Sequence, residues 1–343
     1  MNDSESSGQP QAFDALEKEK QLKAESESWN TNEVIDAQPG DIPVIDLSAY
    51  LQDRNKTALQ QVAKQLKEAC EEVGFFSIIG HQVEASQMQT TFDAIRKFHE
   101  LTLEKKVAIK MDRPGWPISG SGYLPVKNKK LPARNTGNIN EAFIVKHSDN
   151  VSMDDNQWPD EADAPGFRAI VKSYADSMEK LGKQMLPVYA NALGMPDSYF
   201  DQAFEKPLYR LRMTHYPSAP ATDEFGIAPH VDTSFCTILA QDQPGLTIYS
   251  ERKKCWIRVP AVENAFVVNT GELLKQWTND RFISVKHFAN NNTSGHSRYS
   301  IPFFFNANQH HKMSCIPSCC GTDNPAKYPP ISYAESQGVV QGE

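Results

Sequence analysis

Along residues 57–72 the apolar side chains recur at Leu59, Val62, Ala63, Leu66, Ala69 and Cys70. That three-and-four spacing predicts a helix with one buried face, and Gly74 is placed to stop it. Residues 83–103 repeat the pattern with Met88, Phe92, Ile95 and Phe98 inward, ended by Glu104, Lys105 and Lys106. Residues 167–193 carry it longest, with Gly194 closing the helix and Pro187 predicting a kink. Residues 42–47 and 75–79 read as strands, and residues 141–145 alternate as a further strand would.

From residue 208 onward the period shortens. Apolar runs at 208–216, 234–241, 246–249, 255–259, 265–269, 284–288 and 299–305 are separated by turn signals such as Pro244-Gly245 and Asn269-Thr270-Gly271. Short strands at this pitch predict a mainly β fold with flanking α: a double-stranded β-helix, a form of jelly roll, braced by the N-terminal and central helices. Residues 1–40 are polar and charged and are expected to be a disordered tail, with only a weak helical pattern over 15–28. The expectation is then one domain over 41–335, with a mostly helical support over 41–200 and the β core over 205–310.

Composition narrows the function classes. The chain has 343 residues and a formal net charge of −8, so no basic surface for nucleic acid or anionic lipid is expected. No apolar run approaches the roughly 20 residues of a membrane span. Residues 1–6 lack the basic and apolar parts of a signal peptide, and a cytoplasmic chain is expected. The six cysteines fit free thiols in a reducing compartment. Cys315, Cys319 and Cys320, near His310 and His311, lack the spacing of a zinc finger.

The chemistry concentrates between residues 230 and 300. In His230-Val231-Asp232 the outer two residues would share one face of a strand. His287 would arrive from another strand. Two imidazoles and one carboxylate on one side of a metal make the facial triad of non-haem Fe(II) oxygenases. Arg298-Tyr299-Ser300 follows, again with its outer residues on one face.

With these motifs the chain resembles the isopenicillin N synthase-like branch of the 2-oxoglutarate/Fe(II)-dependent dioxygenases. The likeness rests on residues 212–217 (R-M-T-H-Y-P), 230–233, Gly245-Leu246, 268–272 (V-N-T-G-E), 277–279 (W-T-N), His287 and 298–301, with residues 42–47 and 69–76 extending it toward the N-terminus. Residues 267–308 look like the thymine-7-hydroxylase type. The resemblance implies Fe(II) on His230, Asp232 and His287. It implies 2-oxoglutarate as co-substrate, its far carboxylate gripped by Arg298 through a fork that lysine could not reproduce, with Ser300 and Tyr216 as further donors. It implies oxidation of a small molecule by O2, most simply hydroxylation in secondary metabolism, with succinate and CO2 released and ascorbate a candidate reductant. Tyr123, Phe235 and Phe304 are candidate substrate contacts, and residues 119–140 a candidate substrate-facing loop. Two departures stand out: Thr214 occupies a position where plant members commonly carry Asn, and Phe288-Ala289 follows the distal histidine where Arg-Val is usual. The rival readings are an isopenicillin N synthase-like Fe(II) oxidase without 2-oxoglutarate, and a non-catalytic β-barrel that binds a metal or ligand.

Overall fold

The computed structural model describes residues 34–53, 55–128, 137–222 and 224–337. The weak helical pattern at 15–28 lies outside these residues, as does the middle of the expected substrate-facing loop.

The helices form where the pattern placed them. After the short α1 (Ser48–Asp53), α2 (Lys56–Glu72) starts at Asn55, whose side chain accepts from the Ala58 N–H. It ends before Gly74, at φ +71°, where a Cβ would also press to 2.7 Å from the Val285 side chain. The helix expected over 83–103 is shorter, α3 (Ala85–His99), and the residues expected to end it, Glu104, Lys105 and Lys106, lie inside a separate helix, α4 (Leu103–Ala108). The Thr102 side chain accepts from the Lys105 N–H and starts the second helix, a cap within the apolar period that periodicity alone does not register. The long α5 (Phe167–Ala192) carries Pro187 inside it, and α6 (Glu272–Trp277) and α7 (Tyr333–Ser336) are short. Among the described residues no helix is long and apolar enough to cross a membrane.

Thirteen strands are described: β1 (Val34–Asp36), β2 (Val44–Asp46), β3 (Phe75–Ile79), β4 (Gly122–Leu124), β5 (Glu141–His147), β6 (Leu208–Tyr216), β7 (Ile227–His230), β8 (Cys236–Gln241), β9 (Leu246–Ser250), β10 (Cys255–Arg258), β11 (Phe266–Thr270), β12 (His287–Ala289) and β13 (Arg298–Asn306). They form an eight-stranded sheet in the order β2-β3-β11-β8-β13-β6-β5-β4 and a five-stranded sheet in the order β1-β10-β9-β12-β7. The pair is the open jelly roll that the spacing predicted.

Alternation decides what each face of the large sheet meets. Leu211, Met213, Ile238, Ala240, Ile301, Phe303 and Phe305 pack with the buried faces of α2, α3 and α5 in the main core. Between the sheets a smaller apolar cluster joins Phe75, Leu239 and Val267 to Leu246, Ile248 and Ile257. The residues one step out of phase with the helix-facing set, Arg212, Tyr216, Arg298 and Ser300 among them, therefore turn toward the other sheet.

Two expectations need correction. Residues 34–40 are not part of a disordered tail: β1 runs parallel to β10, pairing Val34 with Trp256 and Asp36 with Arg258. Val34 packs against a cluster of Phe225, Trp256 and Phe288, an apolar partner invisible in the local sequence. The second is the strand expected to carry both His230 and Asp232: β7, with the sequence I-A-P-H, ends at His230 and leaves Asp232 beyond it. The strand lies at a sheet edge, where the missing Pro229 N–H is tolerated.

Candidate metal centre and co-substrate pocket

His230 closes β7 and His287 opens β12, and the two are direct partners across the antiparallel pair. Their ring centroids are 4.3 Å apart. Asp232 lies just past the end of β7 rather than within it, held by its backbone oxygen accepting from the Glu272 N–H at 2.8 Å. Each histidine sends Nδ1 to a carbonyl, His230 to Ala228 at 2.9 Å and His287 to Val285 at 3.0 Å. A carbonyl can only accept, so Nδ1 carries the proton and Nε2 presents a lone pair. Both Nε2 atoms stand 3.7 Å from Asp232 Oδ1. Asp232 Oδ2 points away and accepts from Thr237 Oγ1 at 2.6 Å and Asn269 Nδ2 at 2.9 Å.

Electrostatics favour the ligand forms of His230 and Asp232. Burial, with the neighbouring His287, pushes the His230 imidazole down to about 4. Burial alone would raise Asp232, but His287, His230 and the hydrogen bonds from Thr237 and Asn269 bring it below the ordinary carboxylate value. The three donor atoms lie within 4.8 Å of one another. Two imidazoles and one carboxylate with their donor atoms this close fit a mononuclear Fe(II).

On β13, Arg298 is 4 % exposed. Its Nε donates to the Gln243 carbonyl and its Nη2 to the Gln241 amide oxygen, each at 3.1 Å. The Tyr216 ring lies 4.5 Å from its Cζ, and the Tyr216 hydroxyl meets Ser300 Oγ at 3.3 Å. Gly245 makes room: a Cβ there would stand 2.8 Å from Arg298 Cζ. Nη1 is buried with no hydrogen-bond partner. A buried guanidinium with an open donor, next to two hydroxyls, fits a carboxylate.

The structure thus brings His230, Asp232 and His287 together, and gathers Arg298, Ser300 and Tyr216 into a second group. Phe304 shares the face of Arg298 and Ser300 on β13 and is half-buried. Tyr123 and Phe235 do not join them. Tyr123 is 1 % exposed on the helix-facing side, its hydroxyl bonded to Glu141. Phe235 is fully buried among the rings of Tyr189, Phe200, Phe204 and Trp277. Tyr123 is one residue out of phase with the pocket, whereas Phe235 lies just before β8, outside its alternation, and nearness to a motif in sequence revealed neither.

Sequence reasoning missed Arg212. It is 6 % exposed, in phase with Tyr216, and donates from Nη2 to Asn140 Oδ1 at 2.8 Å. Asn140 is itself fixed by donating to the Gly226 carbonyl at 2.6 Å. Arg212 Nε is buried without a partner, and burial lowers the guanidinium below its ordinary value, only partly opposed by Tyr216 and Asp232. The signal was available: an arginine two and four residues from inward positions of a strand must face inward too.

A second cluster, His99, Glu141 and His215, lies across the sheet. Glu141 takes Lys106 Nζ at 2.9 Å and the Tyr123 hydroxyl on one oxygen, and His215 Nδ1 at 2.8 Å on the other. Lys106 already supplies the balancing charge, so this is a filled ion-pair network rather than a metal site.

Comparison with known proteins agrees with this geometry. Residues 42–161 match the family described as non-haem dioxygenase in morphine synthesis N-terminal, and residues 207–307 match the 2OG-Fe(II) oxygenase superfamily. The 2-oxoglutarate-Fe(II) type oxidoreductase hxnY of Emericella nidulans is 32% identical over 309 residues, spanning 85% of this chain and 87% of its own. The 2-oxoglutarate-dependent dioxygenase caaD of Aspergillus niger is 31% identical over 276 residues, spanning 77% and 84%. The crystal structure of a full-length Neurospora crassa protein in complex with alpha-KG and 5-formyluracil aligns with a TM-score of 0.75 at 25% identity, covering 88% of this chain and 96% of that one.

Proposed function

The chain belongs to the 2OG-Fe(II) oxygenase superfamily as a 2-oxoglutarate-dependent dioxygenase, and from that premise we propose that it hydroxylates a small molecule whose oxygen acceptor is held by Arg212. In this reading His230, Asp232 and His287 hold the iron, and Arg298, Ser300 and Tyr216 hold the far carboxylate of 2-oxoglutarate. The carrying observation is the convergence of two histidine Nε2 atoms on one Asp232 oxygen, 3.7 Å from each. When bound, Fe(II) with 2-oxoglutarate and O2 supplies the oxidising power, and the co-substrate leaves as succinate and CO2. An oxidase without 2-oxoglutarate and a non-catalytic barrel, the two rivals raised by the sequence, give way to this activity.

The chain's own groups divide the remaining work. The Nδ1 hydrogen bonds of both histidines fix ring orientation and tautomer. Thr237 and Asn269 hold the unused oxygen of Asp232, leaving the other toward the metal. Arg212 offers a second buried cation whose partner is an amide rather than a carboxylate. A buried guanidinium with an unmet donor favours a substrate bearing a carbonyl or carboxylate oxygen. The Neurospora structure, which holds 5-formyluracil, supports a substrate of that kind.

Succinate release, scored across carbonyl- and carboxylate-bearing metabolites with Fe(II) and O2, tests the reading. We expect one class to raise release above the substrate-free rate. With that substrate, Arg212→Leu should raise KM about tenfold or more, while substrate-free turnover of 2-oxoglutarate persists. A panel in which no acceptor-bearing compound stimulates turnover, or an Arg212→Leu variant with unchanged KM, would sink it.

A further inference from the structure

The hydrogen bonds that orient Arg298 all go to uncharged groups, with the Asp242 carboxylate acting on it only through its field, and that bears on how the pocket of the proposed function discriminates among acids. Its Nε is capped by the Gln243 carbonyl, so only the edge formed by Nη1 and Nη2 is open. On that edge Nη2 donates to Gln241 Oε1 at 3.1 Å, and Nη1 has no partner. Gln241 ends β8 and is the direct register partner of Ser300 on β13, so its side chain rises beside the Ser300 hydroxyl. Its own amide is anchored from the other end, Nε2 donating to the Pro260 carbonyl at 3.4 Å. That bond settles which way the amide faces: the nitrogen goes to a carbonyl, so the oxygen must face the guanidinium. The Tyr216 ring below and the close approach of Gly245 leave the arginine little freedom to turn elsewhere.

We infer that Gln241 is a positioning residue for the co-substrate: its neutral amide oxygen sets the Arg298 guanidinium so that Nη1 and the Ser300 hydroxyl together meet the far carboxylate of a 2-oxo dicarboxylic acid. The neutrality is the point. A carboxylate at this position would hold Arg298 equally well but neutralise it, and the incoming acid would meet a paired cation. An apolar side chain of the same size would leave the charge but release the fork. This inference rests on the assignment of Arg298 to the co-substrate and concerns the dicarboxylate end alone. The other end of the acid, its keto and C1 carboxylate groups, would be held at His230, Asp232 and His287 rather than at Gln241.

The test separates those two ends. Full-length protein loaded with Fe(II) without oxygen is titrated with 2-oxoglutarate and, separately, with 2-oxobutanoate, which keeps the chelating end but lacks the far carboxylate. Binding is read from the charge-transfer absorption that a 2-oxo acid gives on Fe(II). Gln241→Leu should weaken 2-oxoglutarate about tenfold or more, the loss of one hydrogen bond to a charged group, and leave 2-oxobutanoate unchanged. Gln241→Glu, which keeps size and acceptor, should weaken 2-oxoglutarate at least as much, again sparing 2-oxobutanoate. Equal losses for both acids, or no loss for either in both variants, would overturn the role of Gln241. If wild-type protein binds 2-oxoglutarate no better than 2-oxobutanoate, the assignment of Arg298 fails first, and Gln241 with it.

Discussion

Asp232 divides its two oxygens between two tasks. One stands 3.7 Å from both histidine Nε2 atoms, and the other accepts from Thr237 and Asn269. Groups that orient a metal ligand are worth about 10- to 100-fold in metal affinity. Asn269→Ala should therefore weaken Fe(II) binding by roughly that range, measured by titration of the metal-free protein. His287→Ala, which removes a donor outright, should abolish both stoichiometric iron and succinate release. An Asn269→Ala variant that binds iron as wild type does would show that the carboxylate needs no such anchor.

Among the elements, the large sheet separates two kinds of chemistry by phase alone. On β13, Arg298 and Ser300 face the pocket while Tyr299, Ile301 and Phe303 face the helices. Much of this was legible. The strand pattern from residue 208, the amphipathic helices and the shared face of Arg298 and Ser300 follow from spacing, because periodicity reports which side of an element a residue takes, while the triad came from the family resemblance, Asp232 lying past the end of its strand. What spacing cannot report is a partner far away in the chain. Tyr123 was read as a pocket residue because its loop is rich in glycine, yet its hydroxyl is claimed by Glu141 on β5. Glu141 also ties α4 to β6 through Lys106 and His215. Burial would raise its carboxyl, but hydrogen bonds from His215, His99 and Tyr123 hold it well below the ordinary range. Glu141→Gln leaves Lys106 buried without its counter-charge. It should cost about 3–5 kcal/mol in unfolding free energy by denaturant titration, and a loss under about 1 kcal/mol would contradict the network's role. At the turn before β9, Gly245→Ala should push Arg298 aside and weaken 2-oxoglutarate binding while Fe(II) binding stays intact.

Across the whole molecule, buried imidazoles couple folding to pH. Burial pushes His81 and His99 below the ordinary histidine value, and burial with His287 pushes His230 down to about 4. In the unfolded chain these rings take up protons near pH 6.5. As pH falls through that value the unfolded state binds protons that the folded state refuses, so stability declines. For His230 the window runs from about 6.5 down to about 4. The melting temperature of metal-free protein should thus fall steadily from pH 7 to pH 4.5, and a flat profile would refute the coupling.

The first described strand has its own consequence at this scale. Val34–Asp36 covers the outer side of Cys255–Arg258, the neighbour it pairs with along the rim of the smaller sheet. A chain shortened to begin at Gln38 would strip that cover and bare a row of amide hydrogens and carbonyls. Such a rim is a template for a second copy of itself. The shortened protein should elute in larger, concentration-dependent species where the full chain does not, so that three residues near the start act as a guard against self-association.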